Sequence, residues 1–202
     1  MKDKPNILYT IGHSTHSIEE LIRLLKAHTV TAVCDVRSSP YSQYNPQFNR
    51  ESLQKALKTS GVSYVFLGDA LGARPDDPVC YMDGKVRFER VADTDRFQQG
   101  LDRLRIGIQR FRVSLLCAEK DPVMCHRMIL VCRHMRGDDI EILHILEDGA
   151  IESNIETERR LMKSLKIAET NLFMSYEELV ETAYDRQGER IAHTEKDEGS
   201  HE

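Results

Sequence analysis

The chain has 202 residues, 40% hydrophobic and 30% charged, which suits one soluble domain with a sizeable core. No apolar run approaches the roughly 20 residues of a bilayer-spanning helix, and "MKDKPNILYTIGHS" turns polar too soon for a signal peptide, so a cytoplasmic protein with no membrane partner is expected. A formal charge of −5 argues against nucleic-acid binding over the whole surface but leaves room for a local basic cleft, and five cysteines without scaffold-like spacing read as reduced thiols.

Short apolar runs alternate with amphipathic stretches. Residues 7–11 (ILYTI), 31–36 (TAVCDV), 62–67 (VSYVFL), 112–117 (RVSLLC) and 140–145 (IEILHI) read as strands. The first four lack period-2 alternation, as in strands buried on both faces of a parallel sheet. Between them, Ser17 to Glu20 forms a capping box ahead of an apolar face of Ile18, Leu21, Ile22 and Leu25. Asn49 is placed to cap a helix closed by Gly61, and Phe97, Leu101, Leu104 and Ile108 mark another helix. Residues 68–92 carry several Gly and Pro and little periodicity; they read as a long binding loop or a surface excursion, with a hairpin about Asp83-Gly84. Asp121-Pro122 starts a helix whose buried stripe is Met124, Met128, Val131 and Met135. Residues 154–184 add C-terminal helices, and the acidic stretch 185–202, poor in apolar residues, reads as a disordered tail. The pattern predicts a single three-layer α/β domain over 1–184, with a mainly parallel sheet of about five strands flanked by helices.

In such sheets, ligands bind at the carboxyl ends of the strands, where helix N-termini also point. Polar residues collect on that predicted edge: Gly12-His13-Ser14, then Asp35-Val36-Arg37-Ser38, then Cys117-Ala118-Glu119 with Cys125-His126-Arg127. His13 suits acid/base work because imidazole titrates near neutral pH, or it fixes its loop by hydrogen bonds. Asp35 and Arg37 share a face of an extended chain, either as an ion pair or as an anion ligand with its orienting carboxylate. Glu119 is a candidate general base. Cys125 falls in the first turn of the expected helix, where the dipole lowers a thiol pKa, with Arg127 on the opposite rim of the buried stripe and His126 pointing away from it.

Spacings exclude several chemistries. No arginine stands six residues after any cysteine, so a phosphatase-type Cys-x5-Arg loop is absent, and neither G-x-G-x-x-G, a P-loop nor a G-x-S-x-G elbow occurs. There is no C-x2-C pair, so no metal ligand is assigned and the cofactor stays open; convergence of Cys117, Cys125, His13 and His126 on a metal remains an alternative.

"YTIGHST", "DVRSSPYSQYNPQFN", "YVFLGDALGARP" and "LLCAEKDPVMCHR" together resemble a bacterial and archaeal family, domain of unknown function 488, from about Tyr9 to about Ile145. The resemblance marks Gly12, His13, Ser14, Asp35, Arg37, Ser38, Pro40, Phe48, Leu67, Gly68, Leu71, Gly72, Cys117, Glu119, Cys125, His126 and Arg127 as shared positions and implies no assigned activity. Asp69-Ala70 and Ala73 depart from the glycine-rich pattern usual in that family after "LG".

The expectation is an enzyme, of hydrolase type, acting on a phosphate-bearing small molecule or nucleic acid. His13, Glu119 and Cys125 are its catalytic candidates, and Ser14, Asp35, Arg37, Ser38, Arg74, Cys117, His126 and Arg127 line the substrate. A non-catalytic anion-binding module and thiol redox or metal chemistry at Cys117 and Cys125 are the alternatives.

Overall fold

The runs without alternation pair side by side in the interior. In the computed structural model, which describes residues 6–137 and 139–194, β1 (Asn6–Gly12), β2 (Ala32–Asp35), β3 (Ser63–Phe66), β6 (Val113–Cys117) and β7 (Ile140–Ile145) are parallel. Every residue of β2 and β6 is buried, as are the last five of β1. β3 departs from the expectation: its residues alternate between exposed and half-buried because it forms one edge of the sheet. The sheet has six strands rather than five. β8 (Ile151–Ser153) turns back antiparallel on β7, giving the order β3-β2-β6-β1-β7-β8.

Helices cover both faces, so this is a three-layer α/β fold. On one side α1 (Ile18–Ala27) and α2 (Arg50–Thr59) bury Leu21, Leu24, Leu53 and Leu57 against Tyr9, Ile11, Val33 and Leu116. Ser17 caps α1 through Glu20 N as its sequence implies; Asn49 occupies the cap position of α2 but spends its side-chain oxygen on Ser42 N. On the other side α5 (Asp95–Ile108) and the segment 122–135 pack on Leu8, Val113 and Leu115, and α7 (Tyr176–Ile191) covers that segment.

Residues 68–92 are not a structureless loop. They hold two short helices, α3 (Gly68–Leu71) and α4 (Phe88–Ala92), with a hairpin of β4 (Tyr81–Met82) and β5 (Lys85–Val86) between them, turned at Asp83-Gly84. Cys80, Val86 and Phe88 anchor this excursion in the core.

Two further expectations are corrected. The continuous helix after Asp121 is broken: Asp121 caps a 3-10 turn, Pro122–Met124, then Cys125 is extended (φ −134°, ψ 139°) and helical structure resumes after it. The break throws Met124 onto the surface while Met128, Val131 and Met135 stay buried. The start of the expected tail is also helical, since α7 (Tyr176–Ile191) continues through residues 185–191 and buries Gln187; 195–202 lie outside the described residues. α6 (Asn154–Ser164) and α7 are each opened by a full capping box.

The order of strands fixes where a ligand can enter. The chain leaves β1 and β2 toward α1 and α2 on one face, whereas it leaves β6 toward the segment 122–135 on the other. Adjacent strands whose connections diverge to opposite faces open a crevice at their carboxyl ends.

Candidate functional site

The loop after β1 crosses the loop after β6, and the loop after β3 crosses the loop after β2, each so closely that a glycine is needed. A Cβ on Gly12 would lie 1.9 Å from the carbonyl oxygen of Glu119, and one on Gly68 would lie 1.9 Å from that of Arg37. His13 N and Ser14 N then donate to the carbonyls of Cys117 and Ala118, each at 2.9 Å, which extends the β1–β6 ladder past the strand ends. Ser14 completes the turn with φ 44°.

Below this crossing lies a closed ionic node. The Asp35 carboxylate accepts from Arg37 Nε (2.9 Å), Arg37 Nη2 (2.6 Å), Arg37 N (3.2 Å) and Tyr64 OH (2.8 Å). Arg37 also donates to the Phe48 carbonyl (2.9 Å) and to His13 Nε2 (3.2 Å). His13 therefore holds its proton on Nδ1, which donates to Ser14 O, and its ring stacks on Phe48 with centroids 4.3 Å apart. Burial, reinforced by the Arg37 charge, lowers the His13 pKa from 6.5 to about 4. With both ring nitrogens engaged and only 4% of the residue exposed, His13 buttresses Arg37 rather than facing a substrate. The Arg37 side chain is itself committed to three partners through four contacts, so the expected anion grip by it has no spare donor fork.

One strand over, four side chains converge. One Glu119 carboxylate oxygen lies 2.9 Å from both Cys117 Sγ and Cys125 Sγ, and His126 Nδ1 lies 3.6 Å from the first sulfur and 4.0 Å from the second. One ligand-type atom from each of the four fits within 4.8 Å of every other. The break before the helix creates this arrangement. Extended Cys125 stands just before the helix, its Sγ accepting from Arg127 N at 3.4 Å, and His126, at the N-cap position, turns inward instead of away. His126 Nε2 donates to the Val36 carbonyl at 2.9 Å, so Nδ1 is the nitrogen presented to the sulfurs.

The sulfurs are unequal. Burial alone raises a thiol pKa, but the Cys117 hydrogen bond and the Arg127 and His126 charges bring Cys125 well below its usual value. Cys117, buried and beside that negative sulfur, is pushed up. Burial and the Cys125 charge also raise Glu119. Cys34 is driven up to about 12, chiefly by burial, and it lies in the core with Cys80 and Cys132. None of the five cysteines is paired in a disulfide.

Arg127 corrects another expectation. It is 0% exposed, and its guanidinium donates to the carbonyls of Glu119 (2.6 Å) and Lys120 (3.1 Å) and to Thr10 Oγ1 (3.3 Å). It holds the β6 loop in shape from beneath and cannot reach a ligand. The crevice instead opens over Glu119 and His126, with a cavity of about 320 Å³ walled also by Ala73, Arg74, Met124, Arg190 and His193. Arg74 was expected there; its backbone N–H donates to Ser38 Oγ at 2.9 Å, which ties the β2 loop to the excursion. Arg190 and His193 were missed, because they belong to a stretch whose composition reads as tail.

A second polar chain runs inward from Arg127. Thr10 Oγ1 meets His144 Nδ1 (2.8 Å), His144 Nε2 meets Asn154 Oδ1 (3.0 Å), and Asn154 Nδ2 donates to Glu158 (2.7 Å), which also accepts from Tyr184 OH (2.8 Å). Burial, with the nearby Arg127 charge, lowers His144 from 6.5 to about 4. The fold thus refuses a proton that the unfolded chain accepts below pH 6.5, so this contribution to stability is intact above 6.5 and declines as pH falls toward 4. Urea denaturation at pH 7 and pH 5 is expected to show a loss of about 2 kcal/mol from this residue, and the His144→Gln variant a shallower pH dependence. An unchanged pH dependence in that variant counts against the assignment.

No helix of the described residues is long and apolar enough to cross a membrane. No curated protein and no solved structure matches the chain. A family model does, over residues 17–133, which spans the Asp35–Arg37 node, the excursion and the whole Cys117–Arg127 segment, while α6 and α7 lie beyond it. The segment that brings two thiols, a carboxylate and an imidazole together therefore lies within the matched region, and the chain belongs to the family described as Domain of unknown function DUF488.

Proposed function

We propose that the protein is an enzyme acting on a phosphate-bearing substrate, a nucleotide or a nucleic-acid end, in the crevice above Glu119. The observation that carries this reading is one cavity wall bearing Glu119 and His126 together with Arg74, Arg190 and His193. Guanidinium groups match phosphate oxygens bidentately, so Arg74 and Arg190 hold the anion. Glu119 faces both the cavity and the two sulfurs, a position from which a carboxylate takes a proton from water or from a substrate hydroxyl. His13, Asp35, Arg37 and Arg127 shape the walls and touch no ligand in this reading.

Isothermal titration with inorganic phosphate and with nucleoside monophosphates tests it. The Arg74→Ala/Arg190→Ala double variant is expected to bind at least about tenfold more weakly, the loss of one or more charge-assisted hydrogen bonds. Glu119→Gln is expected to bind as tightly as the parent but to lose turnover in a phosphate-release assay. Undiminished binding by the double variant would remove the anion site, and binding without turnover in the parent would assign a recognition module instead.

A further inference from the structure

We infer that Cys117, Cys125 and His126 form a divalent-metal site of the zinc class, with Glu119 as a fourth, displaceable ligand on the crevice side. The inference deepens the proposed function, and it rests on that reading for what lies on the open side of the metal.

Geometry is the first support. Around a tetrahedral zinc, with Zn–S near 2.3 Å and Zn–N near 2.05 Å, sulfur and nitrogen ligands stand about 3.5 Å apart. His126 Nδ1 lies 3.6 and 4.0 Å from the two sulfurs, so the imidazole already occupies nearly the required corner. Glu119 is closer than a tetrahedron allows, at 2.9 Å from each sulfur, and needs to withdraw by about 0.6 Å. It is able to, since Glu119 is exposed whereas the other three are buried. Three fixed ligands and one mobile one describe a site with an open position rather than a closed structural one.

Orientation is the second. A metal-bound histidine characteristically donates its other N–H to a carbonyl or carboxylate, which sets the tautomer and aims the lone pair. His126 does this through Val36 O, and the β2 backbone that supplies the carbonyl is pinned on both sides by the Asp35–Arg37 pair.

Charge is the third and is independent of the distances. Arg127 is a fully buried cation whose hydrogen bonds go to two carbonyls and a hydroxyl, with no carboxylate bonded to it among the described residues. A buried cation calls for negative charge close by, and the two sulfurs and the Glu119 carboxylate are the groups that supply it. Two thiolates, one carboxylate and a divalent cation sum to one negative charge, which Arg127 balances. The thiol-pair alternative, a Cys117–Cys125 disulfide, leaves Arg127 with only Glu119 nearby and gives the fixed imidazole nothing to bind.

The test uses the full chain with Co²⁺ as the spectroscopic probe and Zn²⁺ as competitor. One Co²⁺ per chain is expected, with thiolate-to-metal absorption in the near ultraviolet and intense visible bands of a four-coordinate ion, both erased by one equivalent of Zn²⁺. Cys117→Ser and Cys125→Ser should lose these bands, while Cys34→Ser and Cys132→Ser keep them. Glu119→Gln, a change at an exposed residue that leaves the fold intact, should keep the near-ultraviolet absorption and shift the visible bands. A Co²⁺ spectrum indifferent to Cys125, or a Cys117–Cys125 disulfide and no bound metal in freshly purified chain, would overturn the site. Phosphate binding lost in the Arg74/Arg190 double variant with no metal bound leaves the proposed function standing without this inference; metal bound without phosphate binding does the reverse.

Discussion

Replacing Arg127 by methionine is expected to cost about 3–5 kcal/mol of unfolding free energy and to lower the melting temperature by roughly 10 °C, although the two side chains have comparable length. The guanidinium is 0% exposed and closes the Glu119–Lys120 turn by bonding both of its carbonyls. Methionine fills the volume but leaves those carbonyls and the Thr10 hydroxyl buried without a donor, each a penalty of about 1–3 kcal/mol unless water enters. It also removes the cation that favours the Cys125 thiolate, so that thiol moves up toward its ordinary range. Arg127→Lys is expected to rescue little. A lysine ammonium is a point charge on a flexible stem and cannot span two carbonyls and a hydroxyl as a planar fork does. Urea denaturation checks both variants: the midpoint should fall with the slope unchanged, which separates lost stability from an altered denatured state. A methionine variant within 1 kcal/mol of the parent would mean that the loop holds its shape without the guanidinium.

That residue also shows what the chain does and does not reveal before folding. Motifs at the carboxyl ends of predicted strands pointed to the edge of the sheet where these polar side chains gather, because buried parallel strands announce themselves by unbroken apolar runs and their ends by the first polar residues. Asp35, Arg37, Cys117, Glu119, Cys125 and His126 were all legible as neighbours along that edge on that ground. Their roles were not. Helical stepping from Asp121 placed His126 outward and Arg127 on the rim, and the extended backbone at Cys125 reverses both. Nothing in the "DPVMCHR" string forbids a continuous helix. The break is set by tertiary contacts: Arg127 reaching back to Glu119 and Lys120, and His126 reaching across to Val36. Arg190 was illegible for a different reason. Its stretch is polar and acidic overall, and only the docking of Leu179, Val180, Ala183 and Tyr184 in the core carries that helix end to the crevice.

Asp35→Asn is expected to be the second severe substitution, at about 3–5 kcal/mol, because it removes one charge of a buried pair and strands the other. Asp35 is 0% exposed and accepts three bonds from Arg37 and one from Tyr64; an amide offers a single acceptor oxygen and turns its NH2 toward the guanidinium. Tyr64→Phe, which deletes one neutral donor and leaves the ion pair, should cost only about 1 kcal/mol. The decisive comparison is the double variant Asp35→Asn/Arg37→Met. If the penalty of the single change is the unpaired guanidinium, removing that guanidinium as well should make the double variant no less stable than Asp35→Asn, a coupling of several kcal/mol measured by denaturation of all four proteins. Additive losses would mean that Arg37 reaches solvent or another anion once Asp35 is neutral. The same cycle reports on the neighbouring cluster, because Val36, whose carbonyl holds His126, stands between the two residues. Loosening the pair should free the imidazole to rotate, so in Asp35→Asn the exchange protection of the His126 ring proton should fall even where the protein remains folded.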